Sequence, residues 1–502
     1  MWFTILIVLL IIPFLSISVE SVRNIFLYFR IKRSLPKSRT IPWLPIVGSY
    51  ALYKEDISAT GILTAFHRLV KKYGDNFLLQ GLMNEPMVYV NTPDVAEQVL
   101  STPGNYKAKV YDFIAPLSQN GILTTYGTKF VEKRKMVARA FSYRMLKIFC
   151  GVFGNQFIHL QEKIQSKIGK GDFDVHNAIW WFSLDVIAET AMGVKLGCQK
   201  DNSLPYAKAL EELLHIISRR LHNPLNQYES LFRLRRMYRR QNIASKYVHD
   251  FADVVIKKRK QTLLASKPDG YENDDQCKTL LDHLLIAKEC GKFLSDEELR
   301  DEVNTFIFGG HDTTASTAAF AVYELSQNAD IQQRVYEELI AVFGQNLEKI
   351  PLNVSNLSKL KYMDMVIKET LRLYTTVPLI GRKATGDLII DQRAIPKGTS
   401  VMIMVQTMHH DPRLYPEPKR FDPDRFTDEA ISRRHPFSFI PFGAAPRLCV
   451  GQKYAMVELK LVLSMLLNKF KFFPCNPENR VQVKVSLTLT TETGVNVKVE
   501  PR

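Results

Sequence analysis

Pro441-Phe442-Gly443-Ala444-Ala445-Pro446-Arg447-Leu448-Cys449-Val450-Gly451 is the stretch on which the reading of this 502-residue chain turns. A lone cysteine is by default a small buried hydrophobe. The neighbours of Cys449 change that default. Gly443 and Gly451 permit backbone that other residues resist, Phe442 and Pro446 stiffen the loop, and Arg447 sets a cation two residues before the sulfur. From Gln452 to Phe470 apolar residues recur at helical spacing, Met456, Leu459, Val462, Leu463 and Leu466 among them. The thiol therefore sits just before a helix N-terminus, where first-turn amides and the helix dipole favour the thiolate. A thiolate so placed calls for an electrophile or a metal.

Two further stretches stand out. Ser295 and Glu298 have the spacing of a capping box, which predicts a helix running to about Gln327, and Gly309-Gly310-His311-Asp312-Thr313-Thr314 lies in its middle. Consecutive glycines inside a helix cost about 1 kcal/mol each relative to alanine, so their presence implies a use. Lys361 to Leu373 also reads as a helix, with Glu369 and Arg372 three apart on one face. By itself that is an ordinary helical ion pair worth a few tenths of a kcal/mol.

Taken in order, Gly309 to Thr314, Glu369-x-x-Arg372, Phe421-Asp422-Pro423-Asp424-Arg425-Phe426 and Phe442-x-x-x-x-Arg447-x-Cys449-x-Gly451 resemble the motifs of the cytochrome P-450 superfamily, the haem-thiolate monooxygenases. The resemblance implies a mainly α fold with a smaller β region, a single haem domain behind an N-terminal transmembrane helix. It makes Cys449 the axial thiolate of a haem b iron, the ligand that favours O–O cleavage. It assigns Thr313 to the oxygen contact and Asp312 to a proton relay. Phe442, Gly310 and Gly451 would line the cofactor, Arg134, Arg382 and Arg447 would bind its propionates, and Glu369, Arg372 and Arg425 would form a buried network holding the cysteine loop.

Several residues depart from the family pattern. Ala445 stands where glycine is usual and predicts a tighter loop, since alanine resists positive φ. Phe130 replaces a tryptophan and has no N–H to donate, and Thr375-Thr376 replaces a double proline. Asn223-Pro224-Leu225, the arginines Arg233, Arg235, Arg236, Arg239 and Arg240, and Glu302 to Phe308 resemble the family-four branch, known for hydroxylating fatty acids. Many of that branch carry, at the place of Gly309, a glutamate that can be esterified to the haem. Gly309 cannot make that link, which leaves the thiolate and non-covalent contacts to hold the cofactor. Plain alternatives stand beside these roles: a solvated face for the arginine run, a solvated charge for Arg134 among Lys129, Lys133 and Lys135, and back-bonding to a helix carbonyl for Thr313.

Residues 1–20 are uncharged up to Glu20, rich in Ile, Leu, Val and Phe, and about as long as a membrane helix requires. A cleavable signal peptide is the competing reading, opposed by the uncharged start and the lack of a small-residue cleavage site. Residues 21–48 read as a basic, proline-rich linker, with Arg23, Arg30, Lys32 and Arg33 on the flank expected to be cytoplasmic, and 49–502 as the haem-thiolate catalytic domain. Six cysteines without Cys-x-x-Cys spacing fit a reducing compartment. These features predict an endoplasmic reticulum anchor with the catalytic domain facing the cytosol. The net charge of +16 suits anionic lipid or an acidic protein partner, whereas nucleic acid is disfavoured because the basic residues are dispersed and accompany no base-reading motif.

The body reads as helix over most of Phe157 to Lys288, broken at Asn223-Pro224, with a polar loop from Lys267 to Cys277. Tyr106 to Thr125 reads as an irregular apolar cover, and Leu379 and Ile380 as cavity residues. Strands are predicted at 77–80, 87–91, 388–390, 400–404, 486–491 and 494–499. The expected function is insertion of one oxygen atom from O2 into a C–H bond of an apolar substrate, fatty-acid-like lipids first. NADPH electrons would arrive through a separate flavoprotein reductase or a small haem-protein donor, because no Gly-x-Gly-x-x-Gly loop is present. Hydroperoxide isomerisation without a reductase, and a non-catalytic haem-binding membrane protein, are the alternatives.

Overall fold

A computed structural model describes residues 22–36, 39–42, 49, 61–80, 85–102, 106–201, 203–266, 277–289, 294–344, 353–386 and 388–502. The expected anchor and nearly all of the Lys267 to Cys277 loop lie outside them. Among the described residues no helix is long and apolar enough to cross a membrane.

The fold is mainly helical, with small sheets gathered to one side, as the sequence predicts. Its axis is the 32-residue helix Asp296–Gln327. The capping box starts it: Ser295 Oγ accepts the Glu298 amide at 3.0 Å, and Glu298 Oε2 accepts the Ser295 amide at 3.1 Å. Most of its residues are buried on every side, because Val175–Ile187, Arg236–Ser266, Lys361–Leu373 and Gln452–Lys469 pack around it. A helix so enclosed needs no polar stripe.

The main sheet has the spatial order Asn76–Gln80, Pro86–Val90, Ser400–Ile403, Ile380–Lys383. Its second and third strands are parallel and the other neighbours antiparallel, with Arg382 opposite Val401. Asn76–Gln80, Pro86–Val90 and Ser400–Ile403 are buried throughout, which explains why they read as apolar runs without alternation.

Two expectations need correction here. The stretch 486–491 is not one strand: Leu489–Thr491 pairs with Val483–Val485, and Ser486 to Thr488 make the turn, with the Ser486 amide donating to the Thr488 carbonyl at 2.8 Å. Within the segment read as linker, residues 22–34 are helical, and Tyr28, Ile31 and Leu35 enter a buried cluster with Leu78, Val88, Ile380 and Ile440. Three apolar residues at helical spacing are enough to dock that stretch on the sheet. The predicted break at Asn223 is a capped restart, Asn223 Oδ1 accepting the Leu225 amide at 3.0 Å.

Candidate active site

An apolar cavity of about 480 Å³ lies beside the middle of the central helix. Its walls are that helix between Thr305 and Thr317, the cover from Lys107 to Leu123, the cysteine loop, Leu379 to Arg382, and the turn Val485 to Thr488. Leu379 and Ile380 both line it.

Cys449 is exposed to this cavity, as are parts of Phe442 and Gly451. Its own amide donates to the Phe442 carbonyl at 2.9 Å, which closes the loop. Enclosure raises the thiol above its ordinary range, while the amides of Gly451 and Gln452 and the Arg134 guanidinium pull it down. The left-handed residue of the loop is Gly443, with φ +72°, and Ala445 has no positive φ. The predicted tightening at Ala445 therefore does not occur, since the position never needed glycine's freedom.

The two glycines of the central helix do different things. A Cβ on Gly309 would meet nothing within 4 Å, so this residue faces open cavity. A Cβ on Gly310 would lie 2.6 Å from Ile187 Cδ1 and 2.9 Å from Cγ1. Gly310 borders the cavity, but its missing side chain is what lets the helix Val175–Ile187 approach.

Thr313 lines the cavity and its hydroxyl donates to the Gly309 carbonyl at 2.6 Å, so the back-bond considered as an alternative is present. Asp312 does not line the cavity. Its Oδ1 accepts Trp180 Nε1–H at 3.2 Å and its Oδ2 accepts the Thr488 hydroxyl. Next to it, burial lowers His311 to about 4, and its ring packs edge-on against Trp180. Behind this turn Glu458 is buried, its Oε1 3.2 Å from Ser183 Oγ, and burial pushes its carboxyl up to about 8.

One wall is cationic. Arg382 and Arg447 are buried there, with Arg134 half-buried and Lys107 beside them. Arg447 donates to the Ile122 carbonyl at 3.0 Å and to the Thr125 carbonyl, and stacks 3.6 Å from the Phe130 ring centroid. Phe130 thus meets a guanidinium through its π face in place of the N–H it lacks. Arg134 Nη1 donates to the Leu448 carbonyl at 2.7 Å, and so is not a solvated charge. Its helical neighbour Lys133 is also buried, 3.2 Å from Glu302 Oε1. Among the described residues no ion pair joins Lys107 or Arg382 to a carboxylate. Burial and the facing cations hold Lys107 well below its ordinary value, and burial with Arg382 lowers Arg447 to about 9. A cluster of this kind suits a ligand bearing carboxylates.

Glu369 and Arg372 form a fully buried, two-pronged pair at 2.7 Å on both sides. Arg425 Nε lies 3.5 Å from Glu369 Oε1. Arg372 also donates to the carbonyls of His409 at 3.0 Å, Pro418 at 2.8 Å and Arg420 at 3.2 Å. The link onward is His409, whose Nε2 accepts the Ile440 amide at 3.1 Å, directly before the cysteine loop. That assignment puts the ring proton on Nδ1, which donates to Thr375 Oγ1 at 2.8 Å. Sequence reading missed His409, Lys107 and Thr488. Nothing local marks the last two, whereas the His409-His410 pair ahead of Asp411 was a visible signal left unused.

Comparison with known proteins agrees with this architecture. A family model described as Cytochrome P450 matches residues 38–498. Cytochrome P450 4d2 of Drosophila melanogaster is 34% identical over 479 residues, covering 93% of this chain and 94% of that protein. Cytochrome P450 4c21 of Blattella germanica is 32% identical over 481 residues, 94% of each, and Cytochrome P450 4V2 of Rattus norvegicus is 32% identical over 425 residues, 83% of this chain and 81% of that one. In fold, the crystal structure of the cytochrome P450DA heme domain superposes with a TM-score of 0.79 at 24% identity, over 92% of this chain and 97% of that one. With the family model spanning residues 38–498, and these relatives covering 83–94% of the chain at 32–34% identity, the chain belongs to the cytochrome P450 family.

Proposed function

We propose that this chain is a membrane-anchored monooxygenase that holds haem on Cys449 and hydroxylates an apolar, fatty-acid-like substrate. The observation that carries the reading is the exposure of the Cys449 thiol to an apolar cavity that the Gly309 turn of the central helix also lines. Cytochromes P450 carry haem on a cysteine thiolate, and the residues here fit that group. Arg382, buried, and Lys107, half-buried beside it, have no carboxylate partner among the described residues and match two propionates, and the bare Gly309 leaves room for a flat ring.

In this reading the bound haem supplies the redox chemistry that puts one oxygen atom of O2 into a C–H bond. The amides of Gly451 and Gln452 stabilise the Cys449 thiolate, and Arg134, Arg382 and Arg447 orient the propionates. Leu379, Ile380, Phe308 and Leu221 exclude water and align an apolar chain. Thr313 presents a fixed hydroxyl, and Asp312 supplies the relay carboxylate from outside the cavity. Glu369, Arg372 and Arg425 fix the cysteine loop through His409. Electrons come from NADPH through a separate flavoprotein or a small haem protein. Residues 1–20 anchor the chain in the endoplasmic reticulum, and the catalytic domain faces the cytosol.

The test is a carbon monoxide difference spectrum of the reduced protein, then turnover of a fatty-acid panel with and without NADPH and reductase, read by product mass and position. A thiolate-type spectrum lost in Cys449→Ser, with products gaining one oxygen only when NADPH is present, supports the reading. Consumption of lipid hydroperoxides without NADPH, and no product from any acid, replaces it with an isomerase.

A further inference from the structure

Asp312 is the acid of the Gly-Gly-His-Asp-Thr turn, yet its carboxylate does not reach the cavity and both oxygens are engaged. One partner, the Trp180 indole, has a single N–H and no site to accept a proton in exchange. The other, the Thr488 hydroxyl, both donates and accepts. Thr488 is 3% exposed and lines the cavity. It belongs to the turn between Val483–Val485 and Leu489–Thr491, and that turn is fixed against the central helix. The Leu489 amide donates to the Thr376 carbonyl at 2.8 Å, and Thr376 Oγ1 lies 3.0 Å from Thr317 Oγ1, one helical turn beyond Thr313. Thr313 has meanwhile committed its own proton to the Gly309 carbonyl.

We propose that Thr488 passes protons between Asp312 and the cavity, so that the C-terminal hairpin contributes a hydroxyl to the relay beside the central helix. The proposal rests on the monooxygenase reading above. When the Asp312 carboxyl carries a proton, the Thr488 O–H bond breaks toward an acceptor in the cavity, and the carboxyl proton forms a new O–H on the same oxygen. The hydroxyl is regenerated, Asp312 is left as carboxylate, and no electrons move. His176, on the helix that carries Trp180, lies near Asp312, with partly exposed Asp174 and Lys484 around it. His176 Nε2 also lies 3.3 Å from Ser316 Oγ. These groups give the spent carboxylate a polar route for reprotonation.

The experiment compares Thr488→Val, which keeps the shape, with Thr488→Ser, which keeps the hydroxyl, in the haem-loaded membrane protein with reductase. In Thr488→Val, oxygenated product per NADPH should fall about 10²-fold, the low end of what a positioned proton donor supplies, with the electrons recovered as hydrogen peroxide or water. Thr488→Ser should restore coupling. Independently of turnover, the infrared carboxylate band of Asp312, assigned by its loss in Asp312→Asn, should shift in Thr488→Val and not in Thr488→Ser. If Thr488→Val fails to hold haem, Thr488→Ala against Thr488→Ser makes the same comparison. Parent-like coupling in a haem-loaded variant without the hydroxyl, or an unmoved carboxylate band, overturns the proposal while leaving the monooxygenase reading intact. A parent protein that yields no NADPH-dependent oxygenated product overturns both.

Discussion

Glu369→Ala is the substitution from which the most can be learned about how the cysteine loop is held. It removes two 2.7 Å bonds to Arg372, the acceptor for the Asp422 amide at 2.9 Å, and the counter-charge for Arg425. Arg372 is then a buried cation with no carboxylate. Breaking a buried pair from one side costs about 3–5 kcal/mol, or roughly 10²–10⁴ in the folding equilibrium. That is a large share of the ~5–15 kcal/mol by which domains are stable. The damage travels, because Arg372 also holds the His409 carbonyl, and the His409 ring holds the Ile440 amide next to Pro441. We expect Glu369→Ala to lose haem retention and to shift the urea midpoint downward. The double variant Glu369→Leu/Arg372→Leu should not recover, since the carbonyls of His409, Pro418 and Arg420 lose their donor at about 1–3 kcal/mol for each left unsatisfied. Haem content measured against protein, with urea unfolding, decides it. Full haem content in Glu369→Ala, or full recovery in the double variant, would refute the reasoning.

Three other outcomes follow from the same geometry. Gly309→Ala should stabilise the protein by about 1 kcal/mol through helix propensity, whereas Gly310→Ala should destabilise it by ~1–3 kcal/mol through the Ile187 contact, a difference of sign readable in thermal unfolding. Glu458 has a folded pKa of about 8 against an ordinary 4.5, so the native state keeps a proton that the unfolded chain releases. Its contribution is present below the unfolded value and is lost as pH rises toward about 8; the stability of Glu458→Gln relative to the parent should therefore rise over that window, by at most ~1.4 kcal/mol per pH unit. Phe130→Leu should weaken the Arg447 contact by about 0.5–2 kcal/mol and lower haem affinity, measured by haem transfer to an apoglobin, while unchanged affinity would count against the stacking.

What could be read from the sequence is what local pattern encodes. The capping box at Ser295, the helix after Gly451 and the Glu369–Arg372 spacing appear where the residues put them, because each is set by neighbours within one or two turns. Gly309 and Gly310 were legible as a costly pair but not as a divided one, since only packing against Ile187 separates them. Asp312 and Thr313 are adjacent in the chain and read as partners, yet a helix turns successive residues about 100° apart, and the carboxylate meets a hydroxyl 176 positions away. The turn at Ser486 to Thr488 looks like strand because Ser486-Leu487-Thr488-Leu489-Thr490 alternates polar and apolar residues, and tertiary contact decides otherwise.

The cover from Leu117 to Ile122 is tied to the first turns of the central helix at several points. The Asn120 amide donates to Asp301 Oδ2 at 2.7 Å, the Ile122 amide to Glu302 Oε2 at 3.0 Å, and Asn304 Nδ2 to the Leu117 carbonyl at 3.3 Å. Roof and rear wall are consequently one body, and lifting this flap would break buried bonds on both sides together. Leu221, Gln227 and the Ile62–Leu69 edge border the cavity from separate elements, so a change of outline there breaks none of these bonds.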